Sequence, residues 1–201
     1  TQTQAALKSA TPSSCPTWTR AVKTLIQKRP EFREVFTILD KMHLGDAFLC
    51  AGSIRDLVWS EREEKPFNLM LGNLDIYYLD PNESYEQYLI RKTELNQRHS
   101  KYLWELTNIS LNNPHRPEFQ GKDSLADVIA TFPETCSAVG ICHSPATNFE
   151  FIAPYGLADL FSEKIVPTSS YLEKNTLEAF KKRVERKKWL QNFENTTLVL
   201  P

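Results

Sequence analysis

Asn73 and Asp75 occupy alternate positions of the run Asn73-Leu74-Asp75-Ile76-Tyr77-Tyr78, so on a strand their oxygen-bearing side chains share one face. An acid inside such a run costs free energy unless it is paired or bound to a metal. A hard dication such as magnesium takes oxygen donors of this kind. Upstream, the apolar run Phe48-Leu49-Cys50 delivers a small-residue turn, Ala51-Gly52-Ser53. A helix starting there presents unpaired N–H groups to an anion. A backbone anion site next to an acidic strand is how a protein holds a nucleotide phosphate beside a metal ion. Arg55 would offset phosphate charge in that arrangement, or else pair on the surface with Asp56, Glu61 or Glu63. Glu105, between Trp104 and Leu106, is the natural third oxygen donor, with Glu150 as the lesser alternative. Asn73 keeps a carbonyl oxygen but lacks the negative charge of an acid, which weakens its hold on a dication. Asn108 either reads a base or sugar or satisfies buried backbone groups.

The elements that must position these groups follow from periodicity and punctuation. Thr17 N-caps a helix with Trp18, Val22, Leu25 and Ile26 on one face, Pro30 breaks the chain, and a second helix places Phe32, Val35, Phe36 and Leu39 at helical spacing. Strand 46–50 leads into the Gly52-Ser53 turn, where Ser53 and Asp56 form a capping arrangement that starts helix 54–62. The charged stretch 60–72 reads as a mobile loop beside the site, followed by strand 73–79. Asp80 as N-cap, with Pro81 and Glu83 behind it, predicts a helix over 81–96. Strand 101–110, an Asn- and Pro-rich loop over 112–119 and a short helix near 123–131 come next. Strands 136–142 and 149–153 flank the turn HSPATN, and a helix opens at Leu157. Glu134 reads as a cap or turn residue, and Asp159 as a first-turn acid favoured by the helix dipole. A last long helix over 173–191 buries Leu177, Phe180, Val184 and Leu190. Its basic run 181–188 is a solvated face or a holder of phosphates or RNA. The class is α/β of the mixed α+β kind: a small mixed sheet covered by helices.

At 201 residues, 41% hydrophobic and 24% charged, the chain fits a flexible leader over 1–16 and a single domain over 17–201, with its core about 46–165 and a C-terminal helix about 173–191. A formal net charge of −1 provides no global field to recruit nucleic acid or an anionic membrane. No apolar run approaches the ~18 residues that span a bilayer. The leader has neither the basic start nor the apolar core of a signal peptide, so a cytoplasmic location is expected. Cys15, Cys50, Cys136 and Cys142 form no CxxC pair, and His43, His99, His115 and His143 are scattered, so no zinc site is expected.

Gly52-Ser53-Ile54-Arg55-Asp56-Leu57-Val58-Trp59 followed by Asn73-Leu74-Asp75-Ile76-Tyr77-Tyr78-Leu79-Asp80 resembles the G-G-x-V-R-D…D-x-D signature of tRNA nucleotidyltransferases and poly(A) polymerases. A longer resemblance is to the bacterial nucleotidyltransferase family protein group of the polymerase-beta-like superfamily. It is carried further by Trp104-Glu105-Leu106-Thr107-Asn108, Pro133-Glu134-Thr135, Ala138-Val139-Gly140, Ala153-Pro154-Tyr155-Gly156-Leu157-Ala158-Asp159-Leu160-Phe161, and Lys187-Lys188-Trp189. The ordered motifs cover roughly 20–200. One position and one segment depart from the family pattern: Asn73 stands where the family has its first strand aspartate, and Ile109-Ser110-Leu111-Asn112-Asn113 lacks the family's basic and histidine positions.

The resemblance implies a nucleotidyltransferase-like core with helical N- and C-terminal additions. It also implies a metal-dependent transfer of NMP from an NTP to an unidentified hydroxyl acceptor. Asp75, Glu105 and Asn73 would hold Mg2+ or Mn2+, while Gly52, Ser53, Arg55 and Asn108 would bind the nucleotide. The departures favour an alternative, a catalytically weakened member that binds a nucleotide or a protein partner without turnover. A nucleic-acid-binding module built on helix 173–191 is the third reading, and the neutral overall charge argues against it.

Overall fold

The computed structural model describes residues 16–44, 46–145 and 148–201. The leader expected over 1–16 lies outside these, apart from its last residue. Apolar positions at helical spacing build α1 (Pro16–Gln27) and α2 (Pro30–Lys41), with Pro30 at the helix start, where a missing N–H costs nothing. Trp18, Val22, Leu25 and Ile26 from α1 and Phe32, Val35, Phe36 and Leu39 from α2 are all buried, as their spacing predicts.

The central chain alternates strands and helices. β1 (Phe48–Cys50) leads into α3 (Gly52–Arg62), a short 3-10 turn (Leu69–Leu71) leads to β2 (Asn73–Tyr78), and α4 (Tyr85–Arg98) crosses over to β3 (Leu103–Asn108). β2 and β3 run parallel, as a helical crossover requires. Beyond α5 (Leu125–Ile129) and a 3-10 turn (Thr135–Ser137) come β4 (Gly140–Ser144) and β5 (Asn148–Ile152). The sheet order is β3-β2-β1-β4-β5, with every pair except β2–β3 antiparallel. The chain then forms α6 (Ala158–Phe161), β6 (Lys164–Ile165), α7 (Ser169–Lys174), α8 (Leu177–Lys187), α9 (Trp189–Asn192) and β7 (Thr197–Leu198), with β6 and β7 pairing in a small second sheet. Among the described residues, no helix is long and apolar enough to cross a membrane.

Period-two alternation divides the sheet's faces. Leu74, Ile76 and Tyr78 of β2, Leu49 of β1, Ile141 of β4, and Trp104 and Leu106 of β3 enter the main core with α1 to α3. Phe48, Cys50, Tyr77 and Cys142 point the other way and form a second cluster with Ile129, Phe119 and Phe132. Asn73, Asp75 and Glu105 share that second face. Trp59 of α3 is fully buried, donates Nε1–H to the Leu160 carbonyl at 3.0 Å, and meets Trp189 and Phe193 edge-on.

Several elements differ from their sequence expectation. The helix predicted over 81–96 begins at Tyr85, because Ser84 and Gln87 form the capping box there. Asp80 instead caps a turn, its Oδ1 accepting from the Asn82 N–H at 3.1 Å, and Glu83 is buried against Tyr78, Asn108 and Arg91. The helix predicted over 54–62 starts two residues earlier without a side-chain cap, since Ala51 makes the turn by adopting φ 58. The stretch 60–72 is part helix, part 3-10 turn. The single helix predicted over 173–191 is three, since Thr168 and Thr176 cap new starts and Lys188 stops α8 in the left-handed region at φ 57. Phe180 and Val184 are buried as expected, but Leu177 and Leu190 are exposed because the break turns them outward.

Gly140 explains why β1 and β4 approach so closely. A Cβ there would meet Cys50 Sγ at 2.9 Å and Ile129 Cδ1 at 3.0 Å. Gly140→Ala is therefore expected to destabilise the fold by about 1–3 kcal/mol through overpacking, measured as a lowered midpoint of urea unfolding.

Candidate active site

The turn at Ala51 is the first part of the site. Its N–H donates to the Val139 carbonyl at 3.0 Å, and its own carbonyl accepts from Ile54 and Arg55, also at 3.0 Å. Those bonds leave the N–H groups of Gly52 and Ser53 as the ones without an intrahelical acceptor. A positive φ at alanine stores strain of about 1–3 kcal/mol, held in place by the strands on either side. Gly52 has a packing role as well, because a Cβ there would sit 3.3 Å from Arg55 Nη2. The Ser53 hydroxyl donates to the Asn73 carbonyl at 3.3 Å and so ties the turn to β2. The capping role expected of Ser53 and Asp56 is absent, and Asp56 pairs with Arg55.

Arg55 is buried, not on the surface. Its guanidinium bonds Asp56 at 3.0 Å and Ser137 Oγ at 2.8 Å, and lies 4.5 Å from the centre of the Trp189 ring. A cleft of about 950 Å³ is lined by Gly52, Ser53, Arg55, Asn73 and Asp75, among others. Asp75 lies directly opposite Glu105 in the parallel β2–β3 pairing. Burial, and then the charge of Glu105, push the Asp75 carboxyl up to about 6, against the pull of Arg55, Arg116 and Lys187. Asn73 sits at the exposed start of β2.

The remaining expected residues fall elsewhere. Glu105 flanks Asp75 but is exposed on the edge strand and is not part of the cleft wall. Glu150 lies on β5 at the opposite edge of the sheet, opposite Cys142, which removes it as a partner for Asp75. Asn108 is buried and outside the cleft. Its amide nitrogen donates to the Asp80 carbonyl and to Glu83 at 3.0 Å, while its oxygen accepts from the Asp80 and Ser110 N–H groups. Of its two expected roles, satisfying buried backbone is the one the structure displays. Asp159 accepts from the Thr135 hydroxyl at 2.7 Å, a structural contact.

The structure also brings to the cleft residues that were not among the expected site residues. Glu134, expected as a cap or turn residue, is fully buried and accepts from Arg183 through both oxygens, at 2.7 and 3.2 Å. Arg183 and Lys187, spaced i and i+4 on α8, both line the cleft. Lys182 and Arg186 share that spacing, so within the basic run only the motif Lys187-Lys188-Trp189 marked one of the two. Arg116 enters from the Asn- and Pro-rich loop, paired with Glu118 at 2.7 Å and stacked 4.2 Å from the Phe119 ring centre; no local pattern marks it. Among the described residues, no three His, Cys, Asp or Glu groups converge on one point. The Asp75 and Glu105 carboxylates and the Asn73 side-chain oxygen share one sheet face and could hold a cation. Hard oxygen donors of this kind suit magnesium, which is held by one or two carboxylates plus phosphate oxygens and water.

A family model described as a nucleotidyltransferase matches residues 37–198. The chain belongs to the nucleotidyltransferase family. A solved NMR structure, described as revealing a CCA-adding enzyme head domain, is 28% identical to it with a TM-score of 0.79, covering 90% of this chain and 96% of that one. No curated protein matches. The mixed sheet with its helical cover is the polymerase-beta-like nucleotidyltransferase fold.

Two measurements check the site. Because the folded Asp75 carboxyl titrates near 6 and not at the usual 3.8, the stability tied to its neutral form is complete below pH ~4 and lost as pH rises through 6. Asp75→Asn is therefore expected to exceed the wild type in stability by up to about 3 kcal/mol at pH 8. That advantage should shrink toward zero near pH 4 in paired denaturant titrations. Asn108→Ala should cost about 2–4 kcal/mol, because it orphans buried groups. The same variant should leave nucleotide affinity unchanged by calorimetry.

Proposed function

We propose that this chain is a metal-dependent nucleotidyltransferase that moves NMP from an NTP to a hydroxyl of an acceptor. The observation that carries the reading is the meeting of the Gly52-Ser53 helix start and a strongly perturbed Asp75 in one cleft of about 950 Å³. The N–H groups of Gly52 and Ser53 bind phosphate oxygens, and Arg55 beneath the turn adds fixed positive charge. Asp75 holds the Mg2+ or Mn2+, with Glu105 beside it and Asn73 as an uncharged oxygen donor. The ion, when bound, neutralises phosphate charge and aligns the attack.

In the transfer, the acceptor oxygen bonds to the α-phosphorus while the bond from that phosphorus to the α–β bridging oxygen breaks. The bond's electrons leave with pyrophosphate. The hydroxyl proton is released to solvent water, because a carboxylate that holds a dication is a weak base.

A second reading has an observation of its own. Asn73 stands on the acidic face without a charge, and Glu105 lies outside the cleft wall. Both would weaken the metal site and leave a protein that binds NTP without turnover. Calorimetry with NTP and Mn2+, followed by transfer of labelled nucleotide, separates the readings. Binding with transfer supports the enzyme, binding without transfer supports the second reading, and no binding removes both. Asn73→Asp is expected to tighten Mn2+ binding several-fold; unchanged affinity would place Asn73 outside the metal site.

A further inference from the structure

Most of the charge in the cleft is already matched. Arg55 pairs with Asp56 at 3.0 Å, Arg116 with Glu118 at 2.7 Å and Arg183 with Glu134 at 2.7 Å. Each arginine of the wall is thereby offset by a carboxylate of the wall, and Asp75 remains for a dication. Two lysines break the pattern, Lys174 and Lys187, which line the same cleft and make no ion pair among the described residues. Of the two, Lys187 stands within electrostatic reach of Arg55, Arg183 and Asp75. Partial burial, and then the like charges of Arg183 and Arg55, lower its pKa, against the pull of Glu134 and Asp75. A lysine held among cations, with no anion of its own, is a place where a bound anion gains the most.

The backbone directs this side chain. Arg183 and Lys187 stand one turn apart on α8. The left-handed Lys188 ends the helix immediately after Lys187, at φ 57. Trp189 then folds back so that its ring takes the Arg55 guanidinium at 4.5 Å and that of Arg183 at 5.8 Å. The stop and the anchored indole fix the last turn of α8 against the helix that opens at Gly52.

We infer that Lys187 binds the β- and γ-phosphates of the nucleoside triphosphate and stays on the pyrophosphate as it leaves, an inference that rests on the nucleotidyl-transfer reading above. The electron pair released by the breaking P–O bond settles on the pyrophosphate oxygen, and the ammonium offsets that charge. The C-terminal helix thus supplies the leaving-group side of the site, and β2 and α3 supply the rest.

The test is calorimetry of inorganic pyrophosphate, ATP and AMP, each with Mn2+, on the full chain. Lys187→Ala should weaken pyrophosphate and ATP by about ten- to a hundredfold, the size of a lost hydrogen bond to a charged group, and leave AMP unchanged. Lys187→Arg should recover most of the loss. Lys182→Ala, exposed on the same helix and away from the cleft, should bind as the wild type does. Lys187 belongs to neither core cluster, so the variants should melt with the wild type, which confirms an intact fold. Wild-type binding of pyrophosphate with no loss in Lys187→Ala would overturn the inference while nucleotidyl transfer stands. Equal losses for AMP and ATP would also overturn it, by moving Lys187 away from the terminal phosphates. If the wild type binds neither ATP nor pyrophosphate, the inference falls together with the transfer reading.

Discussion

Arg55 carries a full charge at 8% exposure, and much of the architecture around the cleft answers to that constraint. A buried guanidinium is tolerable only if its donors are paired. Its partners come from well-separated parts of the chain: Asp56 beside it on α3, Ser137 before β4 and the Trp189 ring on α9. Arg55 is thus where the start of α3, the approach to β4 and the C-terminal helices are held in register. Gly52 above it leaves room for the guanidinium, so the turn that offers N–H groups to an anion also sits over a fixed cation.

Glu134 and Arg183 repeat the device on the other side of the cleft. The carboxylate has no solvent exposure, and removing Arg183 would cost about 3–5 kcal/mol, because Glu134 would be left buried and charged. This pair clamps α8 to the segment before β4, which in turn supports Arg55 through Ser137. The outer end of α3 is tied down as well: Glu63 accepts from the N–H groups of Glu194 and Asn195 at 2.8 and 3.4 Å, and Lys65 donates to the Asn192 carbonyl. The C-terminal segment is therefore a wall of the site, held by charge and by the Trp59–Trp189–Phe193 ring contacts.

Asp75 shows how the sheet tunes chemistry. Parallel pairing places a second carboxyl opposite it, and burial raises the cost of ionising it. A dication relieves both effects at once, so the feature that makes Asp75 costly to the fold is the one that suits it to hold metal. Asn73 adds an oxygen to the same face without adding repulsion.

Much of this is legible in the residues. Alternation in Asn73–Tyr78 and helical spacing in α1 and α2 are local signals, because side-chain direction repeats every two residues on a strand and every 3.6 on a helix. Hence the core faces, the turn at Gly52-Ser53 and the shared face of Asn73 and Asp75 all follow from short stretches of chain. Helix starts are less legible. Asp80 and Ser84 are both good caps, and the choice falls to Ser84 because Glu83 is needed by Asn108 and Arg91. Which of its two roles Asn108 takes, the distance of Glu150 from Asp75, the pairing of the Glu134 side chain with Arg183, and the entry of Arg116, Arg183 and Lys187 into the cleft have a common reason: strand order, burial and long-range charge pairing are properties of residues far apart in the chain. The sequence by itself determined the family, the type of most elements and the identity of the acidic strand. Only the tertiary structure decided which charges are spent on one another and which remain free for a ligand.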